Sequence, residues 1–166
     1  MTTVHTTMDT PVGELTLVAG DGALTAIYFR SHKGLPDAST FGERSDADFA
    51  EAKRQLTEYF AGERTGFDLP LNPKGDTFQL KVWELLRKIP YGQTRTYGEL
   101  ARELGDPRLA QAVGSANGRN PISIVVPCHR VVGADGSLVG YAGGIERKRF
   151  LLELEEPAEA TAARLF

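Results

Sequence analysis

The sequence predicts an α/β protein of the α+β kind: a small N-terminal sheet-plus-helix domain over residues 1–72, packed on a mostly helical C-terminal domain over residues 73–166 with a helix-turn-helix. Three observations lead there. The first thirty residues hold three β-rich runs separated by tight-turn residues. Asn72-Pro73-Lys74-Gly75 then breaks the pattern as a linker. Beyond it the apolar spacing becomes helical, and Gly105-Asp106-Pro107 separates two short helices.

The strands are expected over Val4 to Thr7, Glu14 to Ala19 and Leu24 to Phe29, with Gly20-Asp21-Gly22 a strong hairpin signal. Asp48 to Phe60 spaces Phe49, Ala52, Leu56, Tyr59 and Phe60 along one side of a helix that Gly62 ends. Phe67, Leu69 and Leu71 alternate and predict a further strand. A helix capped by Asp76 or Thr77 runs to about Lys88 with Phe78, Val82, Leu85, Leu86 and Ile89 buried, and Trp83 beside them in the core. Thr96 and Glu99 form a capping box for a helix to about Leu104. Pro107 suits the first turn of its successor, which reaches Asn117. Gly133 to Gly136 is a hairpin turn, and Ile145 to Glu155 a last helix packing Phe150, Leu151, Leu152 and Leu154 inward.

Composition narrows the function classes. No apolar run approaches the roughly 20 residues of a membrane span, and Asp9, Glu14 and Asp21 argue against a signal peptide. One cysteine excludes an internal disulfide, and with 3 histidines it is too little for a structural zinc site. A cytoplasmic, reducing location with a free thiol is expected. The net charge of −3 argues against a general nucleic-acid binder, but residues 74–150 carry a local excess of +5.

That basic segment contains Cys128, followed directly by His129. Two β-branched runs, Ile122 to Val126 and Val131 to Val132, read as short buried strands interrupted by Pro127. A thiolate is the nucleophilic form of cysteine, and a nearby imidazole can activate it. The plain alternative is an inert buried thiol. Pro121 and Pro127, which fix the backbone on either side, favour the reactive reading. His5 and His32 read as surface or satisfied core residues. Small residues on the second helix of the pair (Ala110, Ala112, Gly114, Ser115, Ala116) fit close helix packing or a face slim enough for a groove. Gly140-Tyr141-Ala142-Gly143-Gly144 reads as a mobile loop where backbone approaches a ligand, or as a plain surface loop.

Pro127-Cys128-His129-Arg130-Val131 resembles the active-site signature of the O6-alkylguanine-DNA alkyltransferases, with Asn120-Pro121 upstream and Gly140 to Gly144 downstream extending the match. The resemblance runs from about Thr77 through Glu155. It implies single-turnover transfer of an alkyl group from O6-alkylguanine, and less well O4-alkylthymine, in duplex DNA to Cys128. The partner implied is double-stranded DNA, bound by a monomer that can assemble cooperatively along it. No metal or organic cofactor is implied.

Residue roles follow from the same resemblance. His129 is the base, joined to the thiol through a water and held by Glu155. Asn120 is the hinge, and Tyr97 bonds the flipped guanine and crowds its 3′ phosphate. Tyr141 lines the pocket with Arg130 and Gly143, while backbone near Val131 and Ala142 reads the base edge. The second helix, with Ala110, Ala112, Gly114 and Asn117, enters the minor groove, and Thr94, Arg95, Ser115 and Arg119 meet phosphates. Gln111 departs from the pattern, because the family usually places an intercalating arginine there. Other readings are a non-catalytic DNA-binding relative, which carries another residue at the cysteine position, a helix-turn-helix regulator and a cysteine hydrolase that turns over repeatedly.

Overall fold

Asp21 and Gly22, with φ of 52° and 83°, fold two strands back on each other with the backbone of a two-residue hairpin turn. They join β2 (Gly13–Gly20) to β3 (Ala23–Phe29), and the preceding loop joins β1 (Thr3–Thr10) to β2. The computed structural model describes residues 2–32, 34–138 and 140–156. Residues 157–166, which include Glu159 and Arg164, lie outside the described residues.

The sheet runs in the order β3-β2-β1-β4, where β4 (Glu43–Arg44) lies parallel to β1. Sequence pattern misses β4 because both its side chains are exposed and charged. Helix α1 (Ala50–Phe60), entered through a 3-10 turn at Ala47–Phe49, buries Ala52, Leu56 and Tyr59. The strand expected at Phe67 to Leu71 does not form; only Leu71 bridges to Leu24. Gln55 captures this segment instead, accepting from the Asp68 amide at 2.9 Å and donating to its carbonyl at 3.0 Å. Pro70 cannot donate to a ladder in any case.

Helix α2 (Thr77–Arg87) opens with a capping box between Asp76 and Gln79. Its Trp83 indole donates to the Ala116 carbonyl at 2.8 Å, tying α2 to the helix-turn-helix. That motif consists of α3 (Tyr97–Glu103), with the expected Thr96–Glu99 box, and α4 (Ala110–Gly118). Pro107–Leu109 is a 3-10 turn, so α4 begins later than Pro107. Two short strands, β5 (Arg95–Thr96) and β6 (Val131–Val132), pair in parallel.

Ile122 to Val126 is not a strand. It is a knot of turns in which the Val126 amide donates to the Ile122 carbonyl at 3.0 Å and Ile124 sits at φ 73°. A short apolar run carries no periodicity that separates a strand from a buried turn. One link to the sheet remains, from the Ile27 amide to the Pro121 carbonyl at 2.9 Å. Helix α5 (Ile145–Glu155) also corrects the expectation: Lys148, Leu151 and Glu155 are its buried face, Phe150 is exposed, and Leu152 and Leu154 are half-buried. The three buried positions recur at helical spacing, two of them polar. The main apolar core runs through both parts, from Leu17 and Leu56 to Val113 and Leu151, and Val18, Ala26 and Phe41 form a small second cluster. No helix among the described residues is long and apolar enough to cross a membrane.

Candidate active site

Two asparagines fix the backbone that carries Cys128. Asn120 Nδ2 donates to the Val126 carbonyl at 2.8 Å, and its Oδ1 accepts from the Ile122 amide at 3.1 Å. Asn117 Nδ2 donates to the carbonyl of Cys128 itself at 3.4 Å. From Pro127 the chain enters a single 3-10 turn, Cys128–Arg130, so successive side chains fan out. Cys128 is 4% exposed.

Behind the cysteine lies a buried charge cluster. The His129 ring Nε2 meets Glu155 Oε2 at 2.7 Å, and Arg130 donates through Nε to Oε1 at 2.7 Å and through Nη2 to Oε2 at 3.1 Å. Tyr59, from α1, donates its hydroxyl to the same Oε2. Burial alone would push the Glu155 carboxyl up, but hydrogen bonds and charge from His129 and Arg130 outweigh it and hold the pKa at about 2. An ionised Glu155 accepts the Nε2–H, which leaves Nδ1 of His129 as the ring's acceptor. That Nδ1 is buried with no hydrogen-bond partner among the described residues. Burial pushes the His129 pKa down, more than Glu155 pulls it up, so the resting imidazole is neutral.

Burial pushes the Cys128 thiol up; the Asn120 amide, the Lys148 charge and the Tyr141 hydroxyl oppose it. Lys148 is itself buried, with Nζ donating to the Gly140 carbonyl at 3.4 Å. Desolvation lowers its pKa to about 8, against the pull of Cys128. A neutral base, a thiol and a cation therefore share one interior.

A cleft of about 760 Å³ adjoins this interior at Asn120 and Tyr141, while Cys128, His129 and Lys148 are not in its lining. Tyr97, Gly114 and Ser115 of the helix-turn-helix form one side, and Gly140, Tyr141 and Ala142 another. Arg119 and Asn120 line it as well. Gly114 packs beside Tyr97, and a Cβ there would stand 3.6 Å from the ring, an ordinary contact distance. Tyr28, His32 and Pro36 of the N-terminal part complete the wall, a contribution the sequence did not reveal.

The expected site residues divide accordingly. Asn120, Tyr97, Tyr141 and Ala142 line the cleft, whereas Cys128, His129 and Glu155 are buried outside its lining; Asn120 and Tyr141, whose polar groups act on the Cys128 thiol, join the two. Arg130 does not line the pocket; it is buried against Glu155 and donates to the Ile89 carbonyl at 2.6 Å. Asn117 faces inward and is not placed to touch a ligand, because its amide serves the Cys128 carbonyl. Gly143 packs under Phe29, whose ring would lie 2.4 Å from an added Cβ. Val131 is fully buried, with its backbone in the β5–β6 pair. Gln111, Ala112 and Ser115 are exposed on α4 and Ala110 is half-buried, while Thr94 is exposed and Arg95 half-buried before α3. Lys148 and Tyr59 went unread. Lys148 stands seven residues before Glu155, two helical turns away on one face, which was a usable signal.

Comparison with known proteins bears on this geometry. Residues 77–157 match the family described as 6-O-methylguanine DNA methyltransferase, DNA binding domain, and residues 3–73 match its ribonuclease-like domain. The chain is 49% identical over 162 residues to a methylated-DNA–protein-cysteine methyltransferase of Mycolicibacterium paratuberculosis, covering 98% of each. A protein of the same name from Methanosarcina acetivorans is 48% identical over 147 residues, which is 89% of this chain and 94% of that one. The crystal structure of Mycobacterium tuberculosis OGT in complex with DNA superposes with a TM-score of 0.86 at 48% identity, over 95% of this chain and 98% of that one.

Proposed function

Because the chain belongs to the 6-O-methylguanine DNA methyltransferase family, we propose that it repairs DNA by moving an alkyl group from guanine O6 to Cys128, once per molecule. One observation carries this most directly. A neutral imidazole has its Nε2–H fixed on a buried carboxylate and its Nδ1 left open, in the residue next to the sole cysteine.

The Cys128 thiol gives its proton to His129 Nδ1 through a bridging water, and Glu155 stabilises the imidazolium. Lys148 and the Asn120 amide favour the thiolate in the meantime. Sulfur attacks the alkyl carbon, the carbon–O6 bond breaks, and its electron pair passes to guanine, which takes up a proton. A thioether remains on Cys128. No side chain of the cluster is a nucleophile able to remove it, so each molecule acts once.

The substrate is duplex DNA containing O6-alkylguanine, with O4-alkylthymine a poorer one. O6 is unreachable inside the stack, so the base must rotate out into the cleft. The α3–α4 pair presents the minor groove with a slim helix, whose small side chains carry little sequence information. Exposed Gln111 fills the gap left by the base, Ser115 and Arg119 meet phosphates beside it, and Thr94 and Arg95 do so from the other end of the motif. Tyr97 and Tyr141 hold the base. Residues 1–72 support a DNA-binding and transfer unit over residues 73–166, and the protein works as a cytoplasmic monomer.

The test is incubation with duplex DNA carrying labelled O6-methylguanine. One equivalent of label should move to Cys128, seen by mass spectrometry, and Cys128→Ser should bind DNA without accepting it. Label remaining on DNA, or more than one equivalent turned over, would overturn the reading.

A further inference from the structure

We propose that Tyr59, on α1 of the N-terminal part, is a positioning residue for the transfer: its hydroxyl shares Glu155 Oε2 with His129 and so sets how firmly that carboxylate holds the imidazole. The proposal rests on the transfer reading given above. Tyr59 is fully buried, and its ring is fixed from three sides by Phe60 and Phe67, both with centroids at 5.3 Å, and by Tyr91 at 6.3 Å. It therefore has no other place for its hydroxyl.

Glu155 divides its donors unevenly. Among the described residues Oε1 accepts from Arg130 Nε alone, whereas Oε2 accepts from Tyr59, His129 and Arg130 Nη2. The Tyr59 donation draws charge from the oxygen on which a newly formed imidazolium must lean. Removing it leaves a more basic carboxylate and a His129 that keeps its proton longer. Other groups bear on the pair. Tyr91 sends its hydroxyl to the Leu154 carbonyl at 3.3 Å and holds its ring against Arg130, Lys148 disfavours a proton on His129, and the Glu155 charge is felt at Tyr141. None of them changes when one oxygen is removed from Tyr59, so a shift in titration reports that hydroxyl. The arrangement also gives the N-terminal part, which holds no nucleophile for the reaction, a direct bond to the reacting cluster.

The experiment compares wild type with Tyr59→Phe in single-turnover transfer from O6-methylguanine duplex across pH, beside the His129 Nε2 proton and nitrogen resonances. The half-rise of the rate should move up by about half a pH unit, so that transfer on the acid limb falls about threefold. The His129 titration should move with it. Placing 3-fluorotyrosine at position 59 keeps the ring and strengthens the donor, so it should shift both readouts the opposite way. This second arm also decides the matter if Tyr59→Phe does not fold. Unchanged profiles and resonances, with only a lower melting temperature, would overturn the proposal and leave alkyl transfer standing. Failure of the wild type to alkylate Cys128 would sink the transfer reading instead, while the His129 titrations would still judge Tyr59.

Discussion

Asn120 closes a ring around the turn that presents Cys128, donating to the Val126 carbonyl at 2.8 Å while accepting from the Ile122 amide at 3.1 Å. All these groups are buried, so a side chain without the amide leaves the Ile122 amide unsatisfied and the Val126 carbonyl with only the Cys128 amide as donor. We predict that Asn120→Ala loses about 1–3 kcal/mol of stability in chemical denaturation. Alkyl transfer should fall at least about tenfold, because the Cys128 turn loses its brace and the thiolate a favourable dipole. Equal stability and rate in the variant would show that the ring is incidental.

Much of this site was legible because its chemistry is local in sequence. Cys128 and His129 are adjacent, and the Thr96–Glu99 box announces α3 by its own spacing. What failed were judgements that depend on where a segment is buried. Ile122 to Val126 looks like a strand, yet its backbone bonds go to its own turns and to the Asn120 side chain. Lys148 and Glu155 look like surface charges on the last helix, and only the fold supplies the carbonyl, imidazole and guanidinium that let them be buried. Tyr59 reaches Glu155 across 96 positions, a separation no periodicity can report.

His32 gives the protein an acid-sensitive step outside the reacting cluster. Its Nδ1 accepts from the Phe29 amide at 3.3 Å, and burial, aided by the Arg147 charge, pushes its pKa down to about 4. The unfolded chain takes up that proton near pH 6.5, which the folded protein resists. Stability from this group is therefore complete above about 6.5 and lost as pH falls towards 4. Buried His129 adds loss in the same direction, and Glu155 loses its share lower, between its unfolded value near 4.5 and about 2. We expect His32→Asn, which can keep an acceptor for the Phe29 amide, to flatten the stability–pH curve between 6.5 and 4. The change should be at most one proton, about 1.4 kcal/mol per pH unit. Denaturation curves at pH 7, 6, 5 and 4 decide it, and parallel curves for the two proteins would rule His32 out.

Arg147 latches the cleft's glycine loop to the N-terminal sheet. It donates to the Val12 carbonyl at 3.0 Å, the Ser31 hydroxyl at 3.2 Å and the Gly143 carbonyl at 3.2 Å, with its guanidinium 5.2 Å from the Phe29 ring centre. Lysine cannot reproduce that fork. Arg147→Ala should cost about 1–3 kcal/mol of stability and slow transfer through a misplaced Tyr141, and Arg147→Lys should recover only part of either. Transfer from free O6-benzylguanine, measured beside the duplex reaction, checks the cause. Slowing on DNA alone would place the effect at the DNA contact and not in the pocket.

Gln111 is the position where a single change should improve the protein. It is exposed on α4, one turn before Gly114 and Ser115 at the cleft, and under the proposed function its side chain follows the extruded base into the stack. Glutamine can hydrogen-bond the orphaned cytosine but brings no charge and a shorter reach. An arginine adds one phosphate-attracting cation and a planar group that stacks. We predict that Gln111→Arg binds duplex DNA roughly three- to tenfold tighter at low salt, with a steeper loss of affinity as salt rises. It should also raise the single-turnover rate on duplex DNA and leave the rate on free O6-benzylguanine unchanged, because extrusion is absent from that reaction. The free base is thus the internal control. A variant that accelerated both reactions would be acting on the Cys128 chemistry, and one that accelerated neither would show that extrusion does not depend on this side chain.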